Sequence, residues 1–162
     1  MIDPEHASPE FHEHVGDLLR SAFEAVGEAD LVTQLRQDNE LAAEFALHKN
    51  ERLIGYAALS QMVAPKGWFC LAPVAVMPEL QGLGHGKALL AQVLEWAEDR
   101  DGTVVVLGNP DYYGANGFST ARAAQLQDHL APQQDRVAQA QTAQPNLQPR
   151  LTDTETTSKD RA

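Results

Sequence analysis

Apolar residues recur at helical spacing in the first part of the chain. Phe11, Val15, Leu18, Leu19, Ala22, Phe23 and Val26 share one face of a helix predicted over residues 9–26. Ser8 is placed to cap it, and Pro9 suits its first turn. Leu31, Val32 and Leu35 predict a second, shorter helix over 28–37. The period then changes. Residues 44–48 and 53–59 read as two strands of a hairpin around the turn Lys49-Asn50-Glu51-Arg52. A third antiparallel strand begins at Trp68, after the Pro65-Lys66-Gly67 break. Pro73 within it has no N–H for the ladder, so a bulge or a local loss of pairing is expected there.

The stretch from Leu71 to Leu94 carries the strongest local signal. An apolar segment ends at Pro78, and glycines follow at alternate positions, Gly82, Gly84 and Gly86. Apolar residues at 89, 90, 93, 94 and 97 then return to helical spacing. This is strand, glycine loop, helix. Such a loop leaves backbone N–H groups unshielded at the positive end of a helix, which suits a phosphate. A Walker A loop does not fit: Gln81 stands where its first glycine belongs, and Ala88 replaces the magnesium-binding hydroxyl. The dinucleotide fingerprint fits poorly, because Lys87 occupies the place of its third glycine. Beyond the helix, Gly102 is a break. The apolar run 103–107 predicts a fully buried parallel strand, joined through the helix by a right-handed crossover. Asn109-Pro110-Asp111 then turns the chain into a short helix bearing Tyr112 and Tyr113, which ends at Gly117.

What remains is Gln81-x-x-Gly84-x-Gly86, preceded by Val74-Ala75-Val76-x-Pro78-Glu79 and followed by Tyr113-x-x-x-Gly117-Phe118. In this order and spacing the chain resembles the GNAT family of acyl-CoA-dependent N-acetyltransferases. The segment from Val105 through Asn109 to Tyr113 is similar to a bacterial branch of it. The resemblance covers roughly residues 10 to 120 and then gives out. It implies an α/β (α+β) fold, with a mostly antiparallel central sheet that splays beside the acyl-CoA loop and helices that flank it. It implies that the first two helices border the acceptor site. Acetyl-CoA would lie with its pantetheine arm on the backbone of Val74, Ala75 and Val76. Its pyrophosphate would lie on the loop formed by Gln81, Gly82, Leu83, Gly84, His85, Gly86 and Lys87, with Asn109 also in contact. Tyr113 matches the tyrosine that gives a hydrogen bond or proton to the departing sulfur.

The end of the chain departs from that pattern. No aromatic residue follows Phe118, while Gln, Ala, Thr and Asp dominate. The expected organisation is an acyltransferase domain over 1–120, a weakly helical extension over 121–144 and a disordered tail over 145–162. The two strands that usually finish the fold are expected to be absent.

At 162 residues with 43% apolar content, one domain with one core is expected. The net charge is −11, and its whole excess lies in the first 118 residues. Such a surface disfavours nucleic acid and anionic membranes and would suit a cationic acceptor, although a merely soluble acidic surface explains it equally. A single cysteine, Cys70, excludes an internal disulfide. The acidic start lacks the features of a signal peptide, so a cytoplasmic location is expected. His12 and His14 sit two apart on a helix and point away from each other, so no metal is expected. A homodimer is left open.

Acetyl transfer to an amine needs a neutral amine, an oriented carbonyl, a stabilised oxyanion and a protonated leaving thiolate. The backbone N–H near Val76 is the candidate oxyanion donor. Tyr113 carries a phenol that is protonated at neutral pH, as a general acid must be. Tyr112 reads as packing, His85 as an exposed spacer and Cys70 as a small buried hydrophobe. Glu44, His48 and Glu79 can each help deprotonate the amine, and nothing in their spacing selects one. Two readings stay open: an N-acetyltransferase acting by direct transfer on a primary amine of a small molecule or peptide, and a non-catalytic CoA-binding or interaction module.

Overall fold

The computed structural model describes residues 4–24, 27–124 and 155–159. Its helices are α1 (Pro9–Ala22), α2 (Gly27–Gln37), α3 (His85–Glu98), α4 (Pro110–Ala115) and α5 (Thr120–Ala124). Its strands are β1 (Leu41–Lys49), β2 (Arg52–Gln61), β3 (Trp68–Val76), β4 (Thr103–Gly108) and β5 (Glu155–Lys159), ordered β1-β2-β3-β4-β5. This is the mixed α/β fold expected, with a mostly antiparallel sheet and flanking helices. The contacts divide the chain into two units, residues 1–60 with 72–93, and residues 61–71 with 94–162. Among the described residues no helix is long and apolar enough to cross a membrane.

In the first unit, Ser8 caps α1 by accepting the Phe11 N–H at 3.0 Å, with Pro9 in the first turn. The predicted apolar face is the buried one: Phe11, Val15, Leu18 and Leu19 sit in a core with Val32 of α2 and with Ile54, Tyr56, Ala58 and Ala75 of the sheet. The helix stops at Ala22, earlier than the periodicity suggests, because Phe23 turns extended and its N–H closes on the Leu19 carbonyl. The hairpin forms as predicted, with Lys49 opposite Arg52. Both residues of its tip, Asn50 (φ 50°) and Glu51 (φ 62°), are left-handed, as the favoured two-residue hairpin turn requires.

In the second unit, Trp68–Leu71 of β3 pairs in parallel with Thr103–Val106 of β4. The central valines of β4, Val104, Val105 and Val106, are buried, as their continuous apolar run implies. The pairing ends at Leu71, two residues before Pro73, while β4 continues to Gly108. The local loss of pairing expected from the proline is therefore present. Gly102 ends the approach to β4 because its position has no room for a side chain: a Cβ there would stand 2.8 Å from the Phe69 ring. That ring in turn meets Trp96 edge to face, with centroids 5.1 Å apart.

β5 corrects the expectation for the chain's end. Glu155–Lys159 lies in the stretch read as disordered, yet it pairs antiparallel with β4, from Val104 opposite Lys159 to Gly108 opposite Glu155. One strand thus stands beside β4 where none was expected. The pairing is made by main-chain groups, so a polar segment can complete a sheet edge without an apolar pattern to announce it. The helix expected over 121–144 begins as α5; the rest of it, and the rest of the tail, lie outside the described residues. Deleting 145–162 should expose the edge of β4 and lower the melting temperature by more than about 4 °C, the shift produced by losing roughly 1 kcal/mol in a domain of this size. Calorimetry on the truncated chain checks this; an unchanged transition would mean that β5 adds nothing.

Candidate functional site

The first unit brings the glycine loop against the end of β3. Pro78–Leu80 makes one 3₁₀ turn after the strand, and α3 starts at His85. Between them Gly82 and Gly84 take φ values of 78° and 90°, a left-handed region that side chains rarely enter. Nothing lies within 4 Å of where a Cβ would project at either position. At these two glycines the loop is therefore bare backbone open to its surroundings. The first-turn N–H groups of α3, at His85, Gly86 and Lys87, have no acceptor within their own helix. Gln81 ties the loop to the strand: its Nε2 donates to the Val76 carbonyl at 3.0 Å. The Met77 N–H donates to the Ile54 carbonyl at 2.9 Å, which anchors the end of β3 to β2. Val74, Ala75, Val76, Gln81, Gly82, Leu83, Gly84, His85, Gly86 and Lys87 thus lie along one stretch, from the end of β3 through the loop to the first turn of α3. Leu83 at its centre is 66% exposed.

Asn109 and Tyr113 belong to the second unit. The Asn109 carboxamide oxygen caps α4, accepting the Asp111 N–H at 2.9 Å and the Tyr112 N–H at 3.4 Å. Its carboxamide oxygen is thus committed to the cap. Tyr113 projects from α4 and meets Phe118 edge to face, with centroids 5.6 Å apart. Burial, with a smaller contribution from Tyr112, pushes its phenol up to about 12. Tyr112 differs from the packing role expected of it. It is 42% exposed, with one ring edge against Tyr113. Cys70 is buried, and its thiol is pushed up to about 11 by that burial, consistent with an inert core residue.

The structure separates the three candidates for amine deprotonation. Glu79 lies 3.5 Å from Arg52 in an exposed ion pair, and His48 is exposed on β1. Glu44 is buried, with only 2% of its side chain accessible. Its Oε1 accepts from the Tyr56 hydroxyl at 2.6 Å, from Arg36 Nε at 3.1 Å and from Arg36 Nη2. A carboxylate holding three donors is satisfied, and its geometry is that of a core ion pair. Arg36 and Tyr56 escaped the sequence reading because their partner is eight and twelve residues away on other elements. Among the described residues no group of three or more His, Cys, Asp or Glu is placed to hold a metal ion.

A sequence model of the acetyltransferase (GNAT) family matches residues 11–118, the span that contains the loop, the end of β3 and Tyr113. The chain belongs to the GNAT family. It is 36% identical over 110 residues to the uncharacterized N-acetyltransferase YhbS of Escherichia coli K12, covering 64% of this chain and 65% of that relative. It therefore spans just under two thirds of that GNAT relative's length. The crystal structure of YhbS in complex with CoA superposes with a TM-score of 0.66 at 31% identity, covering 72% of this chain and 67% of the other. A GNAT acetyltransferase from Brucella melitensis, in complex with acetyl-CoA, gives 0.65 at 27% identity, covering 69% and 79%.

Two measurements check the local chemistry. Gly84→Glu places a bulky anion on a left-handed position in the bare loop, so calorimetric affinity for acetyl-CoA should be lost while the melting curve changes little. Tyr56 is held protonated well above its ordinary value of 10 by burial first and the Glu44 charge second. The unfolded chain releases that proton near 10, so the stability contributed by Tyr56 is fully present below this pH and is lost as pH rises above it. Urea unfolding across pH 8–11 should show the decline, and Tyr56→Phe should lessen it.

Proposed function

We propose that this protein is an N-acetyltransferase that moves the acetyl group of acetyl-CoA directly to a primary amine of a small molecule or peptide. The observation that carries the reading is the bare backbone loop, left-handed at Gly82 and Gly84, opening at the start of α3 and tied by Gln81 to β3. A side chain at either glycine would fill the space the pyrophosphate needs, so the residues present fit the ligand. The loop amides and the first turn of α3 hold the diphosphate, and Lys87 adds a positive charge. Leu83 faces outward between the two glycines and leaves the backbone clear. The backbone of Val74, Ala75 and Val76 holds the pantetheine arm as a strand would. Asn109 contributes through the part of its side chain that the α4 cap leaves available.

Acetyl-CoA supplies the acetyl group as a thioester: the neutral amine attacks the carbonyl carbon, a C–N bond forms, the C–S bond breaks and the thiolate leaves. The N–H near Val76 stabilises negative charge on the carbonyl oxygen. Tyr113 gives its phenolic proton to the sulfur and takes one back from solvent, which balances the proton that the amine releases. Its raised pKa keeps that proton in place throughout the physiological range, so this group imposes no alkaline loss of activity near neutrality. The buried Glu44 serves the core. The amine's proton passes to solvent or to an exposed group. The acidic surface favours an acceptor that arrives as a cation.

A thiol-release assay with acetyl-CoA and a panel of primary amines, free amino acids and short peptides tests the activity. In it, Tyr113→Phe should lower kcat by about ten- to ten-thousandfold while acetyl-CoA affinity barely moves. Tyr112→Phe should do much less. Equal turnover for Tyr113→Phe and the natural protein, with chemistry rate-limiting, would leave a protein that binds CoA without using this phenol.

A further inference from the structure

We propose that Gly108 is a positioning residue for Tyr113, its missing side chain being the space in which the reactive phenol is held. The inference rests on the reading of Tyr113 as the proton donor. Gly108 is the last residue of β4, and Tyr113 lies in the last turn of α4 just beyond it. A Cβ at position 108 would stand 2.6 Å from Tyr113 Cε2, 3.4 Å from Cδ2 and 3.6 Å from Cζ. The ring therefore turns its Cε2 edge toward the bare backbone of Gly108. Its phenol carbon is among the three nearest atoms.

The contact cannot be relieved cheaply. The Tyr113 backbone is pinned at both ends: its N–H donates to the Asn109 carbonyl at 3.1 Å, and its own carbonyl accepts from Asn116 at 3.0 Å and Phe118 at 3.1 Å. On another side the ring meets Phe118, which is 5% exposed. Asn109 fixes the start of the helix through its cap. With the backbone held and Phe118 in place, any atom added at 108 must rotate the ring about its own torsions. Turning about Cβ–Cγ leaves the hydroxyl on its axis, whereas turning about Cα–Cβ carries it, the most distant atom of the ring, through the largest arc. At position 108 itself an alanine is otherwise benign, since the backbone is an ordinary strand end without a left-handed angle. The constraint belongs to the ring and not to the glycine's own conformation.

The chain has three tyrosines, so uniform labelling with 3-fluorotyrosine gives three fluorine resonances, assignable by Tyr56→Phe, Tyr112→Phe and Tyr113→Phe. In Gly108→Ala the Tyr113 resonance should move while that of Tyr56, buried in the other unit, stays in place and reports an intact core. Thiol release from acetyl-CoA with an amine of the panel should show kcat reduced by about ten- to a hundredfold at unchanged acetyl-CoA affinity. In a Tyr113→Phe background the same substitution should reduce kcat no further, because the group it displaces is gone. Should Gly108→Ala fail to fold, Phe118→Leu removes the support on the ring's other side without touching β4, and should shift the same resonance. An unmoved Tyr113 resonance in a folded variant, or an equal loss of kcat with and without the Tyr113 hydroxyl, overturns the proposal. Full turnover by Tyr113→Phe instead overturns the role of Tyr113. It removes Gly108 from catalysis with it, even if the resonance still moves.

Discussion

Proline has no N–H to give, and at Pro73 this lack coincides with the end of the β3–β4 pairing. Parallel pairing runs from Trp68 to Leu71 and stops, while β4 continues to Gly108 paired with β5 on its other side. A strand interrupted in this way changes what its remaining residues can do. Val74, Ala75 and Val76 are held from the β2 side, through bonds such as Met77 N–H to Ile54, and run straight into the glycine loop. A fully paired strand would have spent its backbone groups on the sheet. In the proposed function, hydrogen-bonding capacity that β4 does not use at Val74, Ala75 and Val76 goes to a ligand that mimics a strand. The glycine loop proposed to hold the diphosphate follows without a break.

Two kinds of constraint keep these parts in place. One is steric and depends on what glycine lacks. Gly82 and Gly84 are needed for their left-handed angles in open space, whereas Gly102 and Gly108 are needed because rings occupy the position of their side chains. The other is electrostatic. Arg36, Glu44 and Tyr56 form a buried polar knot joining α2 to β1 and β2. Such a knot adds little net stability over a well-packed apolar core, but losing one member leaves the others unpaired in a dry environment. It fixes how α2 meets the sheet.

The acidic surface and the proposed reaction are physically compatible. A chain of net charge −11 attracts amines in their protonated form, although the protonated form cannot attack. It repels an anion such as the proposed acetyl-CoA as well. In the proposed function the loop collects its ligand against the overall field, which gives the N-terminus of α3 and Lys87 more to do than they would have in a neutral protein.

Much of this was legible in the chain itself. Helical periodicity marked the buried face of α1, Ser8-Pro9 its start, the turn residues the hairpin and the unbroken valine run β4. These are local signals, set by neighbours in sequence, and the loop motif is of the same kind: Gln81, Gly84 and Gly86 sit within six residues of one another. What only the tertiary structure decided involves partners from distant elements. Glu44 looked like a candidate base until Arg36 and Tyr56 closed around it. Tyr112 looked like packing until its exposure was seen. β5 carried no apolar pattern because its pairing is made by main chain, which every sequence possesses and none advertises. Gly108 looked like the end of a strand. Its meaning comes from a ring five residues later that folds back over it, a relation that spacing alone does not express.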